Sequence, residues 1–138
     1  METESYRRGA ETLTKLNPHA VENLVASLAN IAPDLARFII EFPYGQIYSR
    51  PQLDLKSREL ATVAALTALG NAAPQLRAHI TYALNAGCTQ QEIVEVMMQM
   101  AFYGGFPNAM NALWLAEELF AERAAHASES QPEPPTSS

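Results

Sequence analysis

Proline and glycine recur along this chain at helix-length intervals, and the residues between them do not alternate convincingly with a period of two. That punctuation leaves room for helices and little for strands. Asn17-Pro18 reads as a helix start, with Asn17 as N-cap and Pro18 in the first helical position. Pro33-Asp34 opens the stretch DLARFIIEF, which stops at Pro43. The run YGQIYSRPQLD that follows reads as a loop or irregular turn. Asp54 caps a helix that Gly70 closes. Pro74 starts another through Ala86, and Gly87 ends it. Thr89 and Glu92 have the spacing of a capping box, for a helix to about Tyr103. Gly104-Gly105 breaks that helix, and Pro107 sits in the first turn of a final one reaching about Arg123. The expected class is all-α, a compact bundle of about six to seven helices.

The chain has 138 residues, enough for one domain with its own core. Residues 1–126 are expected to form that domain. Residues 127–138, rich in Ser, Glu and Pro, read as a disordered tail. Two helices are more apolar than one small domain needs. Between Leu60 and Leu69 the only polar side chains are Thr62 and Thr67, and Ile93, Val94, Val96, Met97, Met98, Met100 and Ala101 cover about half of another helix. Such helices are covered on both sides, either within one subunit or by a second copy; a homo-oligomer is expected.

Several partners and chemistries are disfavoured. Lys and Arg number 9 against 15 Asp and Glu, with no strong basic cluster, so nucleic acid is not an expected partner. No apolar run approaches a membrane span, and Met1 to Gly9 has no apolar core of a secretory signal, so a cytoplasmic protein is expected. The single cysteine, Cys88, forms neither an intrachain disulfide nor a CxxC pair. Neither a metal motif nor a dinucleotide fingerprint is present, so no metal or organic cofactor is expected.

The residues that remain for chemistry are few. Glu59 lies near the start of the most apolar helix, where the helix dipole stabilises a carboxylate; a solvated helix start explains it equally. His79 borders the apolar face of Leu76, Ile80, Ala83 and Leu84, either as a proton carrier or as a half-buried histidine satisfied by a carbonyl. Tyr44, Tyr48 and Arg50 flank Gly45 in a segment suited to closing over a small acid, or to packing as a connector. Cys88 sits at a helix junction, as a lowered-pKa thiol or an inert small residue.

The stretches LDLKSRELATVAALTALG and LRAHITYALNAGCTQQEIVEVMMQMAFYGGFPNAMNALWLAEE, preceded by YGQIYSRP, resemble the carboxymuconolactone decarboxylase family. Tyr44 and Tyr48 stand where that family commonly has tryptophans. The resemblance implies an all-helical subunit assembled into trimers or hexamers. One branch is alkylhydroperoxidase-D-like and uses a CxxC with an upstream Glu and a following His. Glu59 matches that Glu and His79 falls near that His, but Asn71-Ala72-Ala73-Pro74 occupies the place of the cysteines, which excludes dithiol peroxide reduction there.

The decarboxylase branch implies loss of CO2 from a small cyclic acid or lactone in aromatic catabolism, without metal or organic cofactor. The resemblance then implies Glu59 and His79 as the catalytic pair, and Tyr48, Arg50 and Tyr103 as substrate-binding residues, with Arg58 and Arg77 as rival carboxylate binders. Gln46, Glu59, Met110, Asn111 and Trp114 depart from this branch and imply a less polar pocket or a displaced carboxylate. Two other readings of the sequence stand beside this one. One is a non-catalytic small-molecule-binding or assembly protein of the same fold. The other is a thiol peroxidase working through Cys88 alone.

Overall fold

The computed structural model describes residues 2–130. Seven α-helices account for most of them: α1 (Glu4–Leu16), α2 (Ala20–Leu28), α3 (Pro33–Ile39), α4 (Leu55–Leu69), α5 (Ala73–Asn85), α6 (Gln90–Gly104) and α7 (Phe106–Glu129). No strand occurs among the described residues. The all-α class is therefore correct.

Most helix ends follow the local chemistry of the sequence. Asp54 accepts the Ser57 N–H and caps α4, and Gly70 ends it in the left-handed region at φ 73°. Thr89 and Glu92 form the reciprocal capping box of α6, at 3.0 and 2.9 Å. Pro74 lies in the first turn of α5, as expected.

Three boundaries differ from the sequence reading. Asn17 ends α1 instead of starting α2; its side chain accepts the His19 N–H at 2.9 Å, a local turn that postpones the helix to Ala20. The helix from Pro33 does not stop at Pro43. It widens into a π-helix, Ile40–Ile47, where Pro43 needs no N–H and its carbonyl accepts from Tyr48 at 2.7 Å. Lastly, α7 continues past Arg123 to Glu129, so the first residues assigned to the tail are helical. The rest of that tail, 131–138, lies outside the described residues.

Two apolar clusters hold the bundle. Val63, Ile80, Ile93, Met97, Ala112 and Ala116 join α4, α5, α6 and α7. Leu13, Leu16, Ala20, Ile40 and Tyr44 join α1 and the start of α2 to the π-helix. The contact of α1 with the π-helix is close because it is made of glycines. A Cβ on Gly9 would stand 1.8 Å from the Ile40 carbonyl oxygen, and one on Gly45 would stand 2.1 Å from that of Ser5. Arg8 adds a hydrogen bond to the Gly45 carbonyl at 3.2 Å. This pins the π-helix against α1, and with it Tyr44, which faces α5.

Candidate active site

Glu59 is on the second turn of α4 and is fully buried, not a solvated helix start. Its Oε2 lies 2.8 Å from Nδ1 of His79 on α5, whose side chain is 15% exposed. Glu59 Oε1 is buried without a protein hydrogen-bond partner. Buried unpaired oxygens are costly and uncommon, and one on a carboxylate points to a working rather than a packing role.

The other ring nitrogen of His79, Nε2, lies 3.3 Å from the Tyr44 hydroxyl. With Nδ1–H donated to Glu59, Nε2 of a neutral ring accepts from Tyr44; with the ring protonated, Nε2–H donates to it. Tyr82 meets the His79 ring edge-on at 5.0 Å, and Tyr48 packs on Tyr44 at 4.9 Å. The Tyr48 hydroxyl also bonds the Thr62 hydroxyl on α4. Three phenols thus surround the pair. Burial, aided by the Glu59 charge, pushes the Tyr44 hydroxyl well above the ordinary tyrosine range. Burial and then Glu59 raise Tyr82. Burial raises Tyr48 too, against the Thr62 hydrogen bond and with Glu59 adding to it. All three are neutral hydrogen-bond donors at ordinary pH.

A cavity of about 350 Å³ opens beside His79. It has two unlike walls. The π-helix and α5 contribute Tyr44, Gln75, His79 and Tyr82; α1, α2 and α3 contribute Leu13, Leu24, Leu28, Leu35 and Ile39. The aliphatic wall keeps water away from the ring, and the other wall carries the groups able to exchange protons or hydrogen bonds.

The structure brings together only part of the set expected from the sequence. Glu59 and His79 meet, and Tyr48 reaches them only by way of Tyr44. Arg50 is exposed and lines a separate surface groove with Arg8, Lys15 and Asp54; Tyr48 lines that groove as well. Arg58 is spent on the carbonyls of Leu53 and Arg50 at 3.0 and 3.4 Å, and Arg77 on Glu118 and Glu122. Tyr103 is 77% exposed near the end of α6 and does not line the His79 cavity. Met110 lines another groove, between α6 and α7, and Asn111 a small cleft near Gly70. Trp114 is largely exposed, and Gln46 donates to the Ser5 hydroxyl at 3.3 Å. None of these four lines the cavity within the subunit.

Tyr44 is the residue whose part the sequence did not single out. It was visible as one of two aromatics flanking Gly45, where the family commonly has tryptophan, and not as a partner of His79. Its approach to His79 depends on a π-helix that carries no sequence signature of its own.

Cys88 is buried, and its thiol contacts the Lys56 carbonyl at 3.6 Å. Burial, then the Glu92 charge, pushes the thiol up, the reverse of the electropositive, open setting that a reactive thiolate needs. No group of three or more His, Cys, Asp or Glu side chains suited to a metal ion occurs among the described residues. No helix there is long and apolar enough to cross a membrane.

Known proteins place this geometry in context. The carboxymuconolactone decarboxylase family profile matches residues 33–118, reaching further upstream than the stretches that first carried the resemblance. An uncharacterized 15.0 kDa protein of Paracoccus denitrificans, from the nqo9-nqo10 intergenic region, is 35% identical over 83% of this chain and 86% of its own. The 4-carboxymuconolactone decarboxylase of Acinetobacter baylyi is 34% identical over the same shares of the two chains. A nitrosuccinic acid decarboxylase of Metarhizium robertsii is 30% identical over 75% of this chain and 71% of its own. The match spans α3 to α7 and so includes Tyr44, Glu59 and His79. On these grounds the chain belongs to the carboxymuconolactone decarboxylase family.

Proposed function

We propose that this protein is a decarboxylase, or a related proton-transfer enzyme, acting on a small cyclic carboxylic acid or lactone with its own side chains as the acid–base machinery. The observation that carries the reading is the Glu59–His79 contact of 2.8 Å beside a cavity. Two relatives named as decarboxylases support the reaction class.

In the proposed reaction the bond from the substrate to its carboxylate breaks, and its electron pair enters the conjugated lactone or ring system. CO2 leaves, and a proton reaches a carbon of that conjugated system. His79 supplies that proton from Nε2, directly or through the Tyr44 hydroxyl 3.3 Å away. Glu59 orients the ring through Nδ1 and stabilises its protonated form. The Tyr44–His79 contact is long enough to yield to a substrate atom.

The direct assay is CO2 release from a panel of lactone acids, including 4-carboxymuconolactone, run in D2O. The reading expects one deuterium on the product, at the carbon of the conjugated system that takes up the electron pair. Binding of these acids to the His79 cavity without turnover would favour the non-catalytic ligand-binding alternative.

We also propose a homo-oligomer. Met98, Phe102, Phe106 and Met110 stand exposed and line one groove of α6 and α7, an apolar surface that a second copy would cover. Light scattering of the native chain and of Phe102→Glu tests it; a wild-type monomer would contradict it.

A further inference from the structure

Both nitrogens of the His79 ring are held, directly or indirectly, from one helix. Glu59 on α4 takes Nδ1 at 2.8 Å, and Tyr44 meets Nε2 at 3.3 Å. Tyr44 belongs to the π-helix, but its ring leans on a chain that ends on α4. Tyr48 packs against it with centroids 4.9 Å apart, and the Tyr48 hydroxyl bonds the Thr62 hydroxyl. Glu59 and Thr62 stand three residues apart on α4, so they share one side of that helix. The path from Glu59 through His79, Tyr44 and Tyr48 to Thr62 closes on itself.

The direction of the last hydrogen bond follows from counting hydrogens. Thr62 has one hydroxyl hydrogen and donates it to the Arg58 carbonyl at 2.9 Å. It therefore accepts from Tyr48, whose own hydrogen is spent there. Tyr48 keeps no donor for a substrate, and neither it nor Thr62 lines the His79 cavity. The Tyr48 backbone N–H is engaged as well, on the Pro43 carbonyl at 2.7 Å. Held at both ends, Tyr48 is a fixed wall for Tyr44. Tyr44 needs one. Its contact with His79 is long for a hydrogen bond and opens when a substrate atom enters. A phenol released in this way keeps its aim only if its ring is packed from behind.

We propose that Thr62 is a positioning residue of the proton-transfer site: it anchors Tyr48, and Tyr48 keeps the Tyr44 hydroxyl aimed at Nε2 of His79. The proposal rests on His79 being the proton carrier. It extends that site by two residues that do not touch the substrate, and it gives a reason for a threonine at this place in the most apolar helix.

The test compares Thr62→Val, which keeps the shape and removes the acceptor, with Thr62→Ser, which keeps the hydroxyl. Turnover of the lactone-acid panel is measured for both, and the His79 ring signals are followed by NMR in the full chain without substrate. Thr62→Val is expected to lower kcat about threefold, the worth of one weakened hydrogen bond, with KM unchanged. It is also expected to shift the His79 signals, as Tyr44→Phe does. Thr62→Ser should restore both. Adding Thr62→Val to Tyr44→Phe should cost nothing further, because Thr62 acts through Tyr44. A raised KM at constant kcat would return Tyr48 to substrate binding and overturn the proposal. So would a Thr62→Ser variant as impaired as Thr62→Val, or His79 signals that Thr62→Val leaves unmoved. Wild-type turnover in His79→Asn would instead overturn the reading on which the proposal rests.

Discussion

Glu59, fully buried on α4, holds Nδ1 of His79 at 2.8 Å through one oxygen and has no protein partner for the other. Removing one member of such a pair strands the other. His79→Ala should therefore destabilise the fold by about 3–5 kcal/mol, because Glu59 stays buried and unpaired. Adding Glu59→Gln should recover part of that loss. Thermal melts of the two single variants and the double variant measure the coupling; additive losses would mean that the two side chains do not interact.

Tyr44 ties alkaline stability to the site. Its folded hydroxyl ionises far above the unfolded value of about 10, mainly through burial and then through Glu59. A group raised in this way stabilises the fold fully below its unfolded value, and the contribution is lost as pH rises beyond that toward the folded one. Unfolding midpoints should thus fall steeply above about pH 10. Tyr44→Phe, which cannot ionise, should flatten that fall. The same variant should lower kcat by about threefold to tenfold, the usual worth of one hydrogen bond.

Cys88 should be a spectator. Its buried thiol is expected to react with a thiol reagent far more slowly in the native chain than in denaturant. Cys88→Ala should keep kcat within about twofold, with a stability loss of roughly 1 kcal/mol for the small void. Loss of turnover in this variant would revive the single-thiol peroxidase reading.

The close contact of α1 with the π-helix predicts an effect at a distance from the chemistry. Gly9→Ala places a methyl group against the Ile40 carbonyl, where backbone and not a flexible side chain must move. A loss of at least about 2 kcal/mol is expected. Turnover should fall as well, since the displaced segment carries Tyr44. An unchanged melt would show that the two elements separate freely.

What the sequence disclosed follows from which interactions are local. Asp54, Gly70, Thr89, Glu92 and Gly105 act on backbone groups a few residues away, and their helix ends were legible. Asn17 used the same chemistry for a different turn, which spacing alone does not distinguish. The π-helix was missed because what holds it is not local: Gly9, Ser5 and Arg8 of α1 lie far upstream of Gly45. The site divides in the same way. Glu59 and His79 came from family resemblance, and their contact joins two helices across 20 residues of chain. Arg50 and Tyr103 were expected beside the substrate, but the fold places one in another groove and the other on an exposed helix end.

The central claim is that Glu59 and His79 act as one proton-transfer unit. The measurement that bears on it most directly is turnover of the lactone-acid panel by wild type, Glu59→Gln, His79→Asn and the double variant, each checked for helicity. The account predicts that His79→Asn lowers kcat by about 10²–10⁴-fold. It predicts a large loss for Glu59→Gln as well, and a double variant no worse than His79→Asn alone, since the two act in series. Folded single variants that turn over at the wild-type rate would contradict it.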